Sequence, residues 1–453
     1  MPKKKTALTI EERLQQALVP AEEQPYEVPE NWVWVRLGAF AETISKGTTP
    51  KGGSAAYVDE GVNFLRVENL TSDGYISHSK ITHITEEMHE NYLKRSILKA
   101  NDLLISIAGS LGKSAIVREC DLPINTNQAI AFVRLFADKI DVNYIRNTIE
   151  SPLINSVLTK QTKVTSIPNL TLEIIKDCPI PLPPFSEQQR IVERIEELFA
   201  KLDEAKERLQ EVADSFAVRK AAILHKAFTG ELTKQWRREN GMSDESWEEK
   251  KLGEVALLLS GQDFPPTKYN SDGNGIPYIT GASNFDDTHI LINRWTDEPS
   301  VIAQENDVLL VCKGSGYGKT IIADFKEAHI ARQIMALRVK EIIDNNLLLY
   351  YLRNKNRFIK EQGQGLIPGL SRKVILSLTI NLPTLSEQHE IVRLIDDLLA
   401  RERAAQQATE QALASIDLMK KSILARAFRG ELGTNKASEA SALELLRQVL
   451  AEG

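Results

Sequence analysis

Apolar residues recur at alternating steps of four and three through residues 186–228, which predicts one long amphipathic helix with a heptad seam. The same pattern returns in residues 386–428. At about 1.5 Å per residue, each helix would form a rod of roughly 60 Å. The predicted seam positions of the first helix are Ile191, Ile195, Leu198, Leu202, Ala205, Leu209, Val212 and Phe216. Those of the second are Ile391, Ile395, Leu398, Ala405, Ala412, Ile416, Met419 and Ile423, with Glu402 and Thr409 interrupting the seam.

The two predicted helices are copies of one another, 200 residues apart: they begin with PPFSEQQRIVERIEELFAKL (183–202) and PTLSEQHEIVRLIDDLLARE (383–402), and end with ILHKAFTGEL (223–232) and ILARAFRGEL (423–432). We expect Ser186 and Ser386 to be the N-caps. Gly230 and Gly430 are suited to end the helices in the left-handed conformation. Each helix could simply bury its seam against its own domain. Two equal seams favour instead a paired spacer, antiparallel or side by side.

Short runs of β-branched and aromatic residues precede each helix and predict two β-rich domains. One or two helices are expected near the end of the first domain, for example at 142–158. Three segments of the first domain align in sequence with segments of the second. GVNFLRVENL (61–70) aligns with GIPYITGASNF (275–285), DLLISIAGSLGKSAIV (102–117) with DVLLVCKGSGYGKTIIA (307–323), and NQAIAF (127–132) with RQIMAL (332–337). The last alignment pairs Gln128 with Gln333. We therefore infer a duplication of one unit, a domain followed by a helix, so that the chain runs domain, helix, domain, helix.

The helices match better than the domains do, as expected if the helices contact one common partner while the domains contact different things. The terminal segments are amphipathic: residues 9–19, and the tail with Leu443, Leu446 and Val449 on one face, could pack together. The predicted boundaries are 1–30 for an N-terminal helix and connector, 31–185 and 247–385 for the two domains, 186–232 and 386–432 for the helices, 233–246 for a linker and 433–453 for the tail.

Composition narrows the class of protein. The 453 residues include no run of eighteen apolar residues, and the basic start lacks the apolar core of a secretion signal. Three widely spaced cysteines argue against disulfides and zinc, so the expected compartment is the cytoplasm. The net charge of −6 means that any DNA contact must rest on local basic clusters or on a partner.

Two short motifs suggest catalysis, but neither fits. GSGYGKT (314–320) lacks the glycine five residues before Gly318 that a P-loop requires, because Lys313 stands there. LPPF (182–185) has Leu182 where an amino-methyltransferase needs a polar residue to hold the target amine. The seven histidines form no metal-ligand spacing with carboxylates. We therefore expect a protein that is not itself an enzyme.

The doubled SEQ…AFxGEL pattern, with a variable β-rich domain before each copy, resembles the specificity subunits of type I restriction-modification enzymes over nearly the whole chain. The resemblance implies an α+β fold with two target recognition domains and two long conserved helices, paired as an antiparallel coiled coil with pseudo-twofold symmetry. It further implies that the domains read the halves of a split, asymmetric DNA target while the helices dock two methyltransferase subunits. Restriction (translocase) subunits complete such complexes. S-adenosylmethionine, ATP and Mg²⁺, and with them adenine methylation and ATP-dependent cleavage, belong to the partner subunits, so no cofactor is expected here.

The candidate DNA contacts are polar and basic loop residues beside the matched strands, since such side chains reach phosphates and base edges. In the first domain they are Lys46, Thr48, Thr49, Lys51, Arg66, Asn69, Ser110, Lys113, Lys160 and Lys163. In the second they are Lys268, Tyr269, Thr280, Ser283, Asn284, Ser315, Tyr317, Lys319 and Gln364. The alternative is a coiled-coil scaffold whose two domains bind protein without DNA specificity.

Overall fold

A computed structural model describes residues 8–71, 73–136, 139–160, 169–243, 246–286, 289–314, 316–361 and 369–452. The chain divides into two compact units. The first consists of Met1–Arg208 and Ala412–Gly453, and the second of Leu209–Gln411. Each unit therefore contains one β-rich domain together with parts of both long helices.

The domain of the first unit contains two small sheets and a closing strand pair. Its elements are α1 (Ile10–Ala17), β1 (Val33–Arg36), β2 (Ala41–Lys46), β3 (Val62–Leu65), β4 (Thr82–Ile84), β5 (Leu103–Ser106), β6 (Ser114–Ile116), β7 (Ile124–Thr126), β8 (Ile130–Leu135), α2 (Val142–Glu150), α3 (Pro152–Lys160), α4 (Leu172–Lys176) and β9 (Pro179–Leu182). One sheet has the antiparallel order β2-β8-β5-β6, and the other has the order β4-β3-β7 with β3 and β7 parallel. Strands β1 and β9 pair antiparallel and lead into α5 (Phe185–Phe228).

The domain of the second unit repeats this topology. Its elements are α6 (Lys234–Glu239), β10 (Glu248–Lys251), α7 (Leu252–Val255), β11 (Ala256–Ser260), β12 (Ile276–Ile279), β13 (Trp295–Thr296), β14 (Ile302–Gln304), β15 (Val308–Val311), β16 (Thr320–Ile322), β17 (Glu327–Ile330), β18 (Ile334–Val339), α8 (Asn345–Asn354), α9 (Asn356–Glu361), α10 (Arg372–Leu376) and β19 (Thr379–Leu382). The sheet orders are β11-β18-β15-β16 and β13-β12-β17-β14, and β10 pairs with β19. Helix α11 (Leu385–Ala427) follows, and α12 (Ala442–Glu452) lies in the first unit.

Of the one or two helices expected near 142–158, the structure has two, because Pro152 has no N–H to continue the first one. Helix α2 ends at Glu150, and Pro152 begins α3 in the first helical position, where its missing donor has no consequence. The side chain of Asp141 caps α2 by accepting from Tyr144 N. Asp344 caps α8 in the same way, so the two domains share this start signal.

The long helices pair antiparallel, as contacts inside each unit show. In the first unit, Lys420 lies 2.6 Å from Asp203, and Lys206 lies 3.9 Å from Asp417, so the start of α5 runs beside the end of α11. In the second unit, Arg219 lies 2.7 Å from Glu402. There the end of α5 packs into one hydrophobic cluster with the start of α11. The antiparallel prediction is therefore confirmed.

Burial varies from position to position along the predicted apolar seam. Ile191, Ile195, Phe216, Ile391, Ile395 and Ile416 are buried, whereas Leu198, Leu202, Leu209, Leu398 and Ile423 are half-buried. The prediction was wrong for Val212 and Met419, which are 40% and 49% exposed, and for Ala205 and Ala405, which are also exposed. A helix of 3.6 residues per turn drifts by about 20° per heptad, so an uninterrupted heptad count rotates some positions out of the contact.

The two polar residues in the second seam are accommodated by hydrogen bonds. Glu402 accepts from the guanidinium of Arg219 at 2.7 and 2.9 Å. Thr409 is buried, and its hydroxyl donates to the carbonyl oxygen of Ala405 at 2.8 Å. Neither group is left without a hydrogen bond, so the pairing survives both.

Ser186 and Ser386 are not N-caps, because the helices begin at Phe185 and Leu385 and each serine is already the second helical residue. The carbonyl of Pro184 already accepts from Glu187 N and Gln188 N, at 2.9 and 3.0 Å. The Ser186 hydroxyl donates instead to Glu439 at 3.1 Å. The predicted ends are confirmed, with Gly230 and Gly430 at φ of 78° and 76°.

The Glu and Gln of the repeated SEQ triplet fasten each helix to its own unit. Gln188 accepts from Asp141 N at 3.0 Å, and Gln388 accepts from Asp344 N at 2.8 Å, so each glutamine ties the head of a long helix to a capped helix of the neighbouring domain. Glu187 and Glu387 are both fully buried. The repeated triplet is thus a structural fastening rather than a catalytic motif.

The terminal segments pack together in the first unit, as their amphipathic patterns suggested. Leu14 and Ala17 of α1 share a hydrophobic cluster with Ala442 and Leu446 of α12. The Asn31 carbonyl accepts from Ala442 N at 2.9 Å, which joins the connector to the tail.

Candidate nucleic-acid interface

In the first domain, four loops meet at one end of the two sheets. Gly47 N donates to Ile130 O at 3.1 Å, Thr48 N to Thr126 O at 3.0 Å, Asn127 N to Leu65 O at 3.2 Å and Ile107 N to Ala129 O at 2.8 Å. These bonds join the loops after β2, β3 and β5 to the turn before β8. We call this surface, residues 46–51, 66–70, 107–113 and 126–129, the first loop end.

The second domain builds the same surface with the same bonds. Gly261 N donates to Ile334 O at 3.1 Å, Gln262 N to Ile330 O at 2.9 Å, Ala331 N to Ile279 O at 2.9 Å and Cys312 N to Gln333 O at 2.7 Å. The second loop end comprises residues 260–263, 280–284, 312–314, 316–319 and 330–333.

A glycine makes each loop end possible. A Cβ on Gly47 would lie 2.2 Å from the carbonyl oxygens of Thr126 and Asn127. A Cβ on Gly261 would lie 2.2 Å from the carbonyl oxygen of Ala331 and 2.5 Å from that of Ile330. Since these neighbours are backbone, only glycine allows the chain to cross so closely.

Most of the predicted DNA-contact residues lie on or beside the loop ends with their side chains exposed or half-buried. On the first they are Lys46, Thr48, Thr49, Lys51, Arg66, Ser110 and Lys113; on the second they are Thr280, Ser283 and Lys319. Lys160 is exposed at the end of α3, a helix whose Asn155 lies against the hairpin at Gly112. Lys163, Ser315 and Gln364 fall outside the described residues.

Three predicted contacts are interior residues. Asn69 and Asn284 are buried, and each accepts from the backbone of its own loop, at Arg66 N and Thr280 N, both at 2.9 Å. Tyr317 is 8% exposed, and its hydroxyl donates to Ile359 O at 2.9 Å. Because their polar groups already hold the loops in shape, we assign these residues a structural role.

Two more predicted contacts lie away from the loop end. Lys268 pairs with Glu298 at 2.7 Å, and its carbonyl accepts from the hydroxyl of Thr296, the last residue of β13. Tyr269 is half-buried, with its ring 5.5 Å from that of Tyr278. The loop that carries both residues runs along β13, the edge strand of the sheet β13-β12-β17-β14.

The hydrogen-bond pattern also corrects the alignment of the turns before β8 and β18. Ala129 O and Gln333 O accept equivalent bonds, as do Ile130 O and Ile334 O, so Gln128 corresponds to Arg332 and not to Gln333. Sequence reasoning missed Arg332 because the shared letters NQ and RQ aligned the two glutamines. The phase of the buried strand positions, Ile130–Leu135 against Ile334–Val339, carries the correct signal.

A neutral histidine supports the second loop end from beneath. The His329 ring stacks on Phe264 with centroids 4.0 Å apart and an interplanar angle of 7°. Its Nε2 donates to Gln262 O at 2.8 Å, while Nδ1 accepts from Val301 N at 3.3 Å. Burial lowers the pKa of His329, so the ring is neutral. Its two hydrogen bonds then select one tautomer and hold the loop after β11.

Among the described residues, no group of three or more His, Cys, Asp and Glu side chains could hold a metal ion. Within the same ranges, no helix has both the length and the apolar character needed to cross a lipid bilayer.

The family model described as the type I restriction modification DNA specificity domain matches residues 29–214 and again 244–413. The chain belongs to this family. Each match covers one β-rich domain and the first part of the long helix that follows it, so the specificity domain occurs twice.

Individual relatives agree over most of the chain's length. A putative type I restriction enzyme MjaX specificity subunit from Methanocaldococcus jannaschii is 26% identical over 86% of this chain and 92% of its own. The crystal structure of an HsdS subunit from Thermoanaerobacter tengcongensis shares the fold, with a TM-score of 0.67 at 24% identity, over 90% of this chain and 100% of that one. A second solved chain, from a structure concerned with complex assembly and conformational transition of the type I R-M system, gives a TM-score of 0.69 at 25% identity, again over 90% and 100%.

Proposed function

We propose that this chain is the DNA sequence-recognition subunit of a type I restriction-modification complex, in which each loop end reads one half of a split, asymmetric target. One observation carries the proposal: the two loop ends have the same backbone frame, down to the glycine crossing, but present different side chains. A shared frame with different chemistry suits two readers of different sequences. Binding to one unchanging partner would favour similar side chains on both.

The charge of the chain bears on how it binds DNA. With a net charge of −6, it gains little from non-specific attraction to the phosphates, so affinity must come from local cations such as Lys46, Lys113 and Lys319 and from the assembled complex. The proposed complex works in the cytoplasm, where thiols such as exposed Cys120 stay reduced.

The helix pair supplies the docking sites for two methyltransferase subunits. Val218 and Leu418 occupy the same position of the repeated helix and are 70% and 66% exposed. Large apolar side chains kept in water at both copies favour one partner that binds twice. In this proposal the chain catalyses nothing: S-adenosylmethionine, ATP and Mg²⁺ bind the methyltransferase and restriction subunits, which carry out adenine methylation and ATP-dependent cleavage.

The test is a domain exchange. Residues 31–166 are replaced by those of a relative, and the methylated sites of a host that carries the complex are mapped by sequencing. We expect one half of the target to change and the other to stay. A change in both halves would contradict independent readers. If the wild-type complex with its methyltransferase selects no duplex by sequence, the protein-binding scaffold is the better account.

A further inference from the structure

Each loop end carries one hydrogen-bonded pair of side chains at the same place in the frame. The pair joins the second residue after the crossing glycine to the second residue of the turn before the central strand. In the first domain the two residues are Thr49 and Gln128; in the second they are Asp263 and Arg332. The main-chain bonds that flank the pair are equivalent in the two domains. The position is therefore constant, and its chemistry is not.

In the first domain the pair presents an amide. The Thr49 hydroxyl donates to Oε1 of Gln128, and the Gln128 side chain is exposed. A carbonyl oxygen has two lone pairs, so Oε1 can accept a second bond while Nε2 donates. That combination of one donor and one acceptor is complementary to the N7 and N6 edge of adenine in the major groove.

In the second domain the pair presents a guanidinium. Asp263 accepts from Arg332 Nε at 2.6 Å and from the Arg332 backbone N–H at 3.1 Å, while the Arg332 side chain stays 66% exposed. Two bonds from one carboxylate fix both the backbone and the plane of the guanidinium. Bidentate recognition of guanine O6 and N7 uses the two terminal nitrogens, which the bond to Nε does not occupy.

From this difference we infer that the two pairs are specificity determinants: Gln128 reads an adenine in one half of the target, and Arg332 reads a guanine in the other. Thr49 and Asp263 are positioning residues that hold the reading groups. This inference rests on the proposed function and names the contacts that set the sequence at one position of each half.

The decisive variant is Arg332→Gln, which replaces the guanidinium by the amide of the first domain. It is made in the full chain, co-purified with its methyltransferase and compared with wild type by competition binding to duplexes that differ at each base pair of the mapped target. We expect the preference for guanine at one position of the second half to fall by roughly 10- to 100-fold, with no change in the first half. The reciprocal variant Gln128→Arg should change the base preference only in the first half of the target.

Three further variants separate reading from charge and from folding. Arg357→Gln removes another exposed arginine of the same domain, paired with Glu361, and should leave every base preference intact. Arg332→Lys keeps the charge but loses the planar fork, so its guanine discrimination should fall while its overall affinity for DNA stays above that of Arg332→Gln. Asp263→Asn should keep guanine as the preferred base but with weaker discrimination, since the fork remains and its support is weakened.

An Arg332→Gln complex that binds with unaltered preference at every position would overturn the inference, as would a change in both halves. Should that variant give no binding to any duplex, the Arg332→Lys complex decides by the same measurement. A wild-type complex without any sequence preference would instead refute the proposed function, so the two failures are distinguishable.

Discussion

Glu387 at the head of α11 offers the sharpest stability test, because its carboxylate is buried against a buried cation. Arg237 donates to it at 2.7 Å, with side-chain exposures of 5% for Arg237 and 0% for Glu387. The Thr233 hydroxyl donates to the same oxygen at 2.6 Å, and Trp247 Nε1 donates to the other at 3.1 Å. Glu387→Gln would remove the carboxylate charge that lies 2.7 Å from the buried Arg237 guanidinium.

The first unit provides a matched control at the head of α5. Glu187 is equally buried, but its direct partners are neutral donors: Trp32 Nε1 and Asn435 Nδ2 reach one oxygen at 2.8 and 2.9 Å, and the Thr434 hydroxyl reaches the other at 3.4 Å. A glutamine can place its oxygen where Trp32 and Asn435 donate and its amino group beside Thr434, whose hydroxyl can also accept. Glu187→Gln therefore strands no charge.

The expected costs differ by several kcal/mol. Removing one partner of a buried ion pair costs about 3–5 kcal/mol, whereas exchanging one hydrogen-bonding group for another that keeps its partners costs about 1 kcal/mol or less. Hydrogen exchange followed by mass spectrometry measures the two helix heads separately. Peptides from 229–243 report on Glu387, and peptides from 430–440 report on Glu187. We expect Glu387→Gln to lower the protection of 229–243 sharply, and Glu187→Gln to leave 430–440 nearly unchanged.

A double-variant cycle then isolates the ion pair. Adding Arg237→Met to Glu387→Gln should recover part of the lost protection, because it removes the buried cation that has lost the Glu387 carboxylate and fills the space with an apolar side chain. Equal losses for the two glutamate variants, or strictly additive losses in the cycle, would refute the reasoning that loss of the Glu387–Arg237 ion pair dominates.

Three other predictions concern docking, the loop frame and pH. Val218→Arg or Leu418→Arg alone should lower the number of bound methyltransferase copies from two to one by native mass spectrometry; two copies retained by both variants would contradict the docking sites. Gly261→Ala should destabilise the second unit by about 1–3 kcal/mol, because the new Cβ would clash with backbone atoms. Thermal unfolding measures this loss against the control Gly253→Ala, whose Cβ would make only ordinary contacts, from 3.5 Å. Burial raises the pKa of Glu187 above its ordinary 4.5, so the stability that this group contributes is present at low pH and is lost as pH rises from about 4.5 through its folded pKa. The stability of Glu187→Gln relative to wild type should accordingly increase with pH over that window, and a constant difference would disprove it.

The sequence predicted the long helices and their pairing because a duplicated seam is a strong periodic signal. It predicted the glycine stops, since Gly230 and Gly430 follow the last apolar positions directly. It failed at the two serines, because a capping residue and the second residue of a helix both tolerate serine. The main-chain hydrogen bonds to the carbonyls of Pro184 and Thr384 distinguish the two cases, and the Ser186 hydroxyl bonds to Glu439, 253 residues away.

The candidate interface was harder to predict from the sequence than the fold. Loop composition found Lys46, Lys113 and Lys319, which are exposed, but composition cannot separate an asparagine that contacts a ligand from one that shapes a turn. Asn69 and Asn284 shape their turns, because their side-chain amides are hydrogen-bonded to backbone groups a few residues away. Arg332 was not predicted as a candidate contact because the two domains were aligned one residue out of register at this turn. Only the pairing register of the strands corrects that alignment.

The helix heads and the loop ends together explain how such a protein could change its target without losing its fold. The Glu387–Arg237 contact is buried, so changing it costs folding free energy. The Asp263–Arg332 contact is largely exposed, and exposed ion pairs contribute about 1 kcal/mol or less. Arg332→Gln should therefore leave the protection of 229–243 at the wild-type level while it alters base preference, and Glu387→Gln should do the reverse. If either variant changed both quantities together, the separation between a fixed frame and an exchangeable reading group would be wrong.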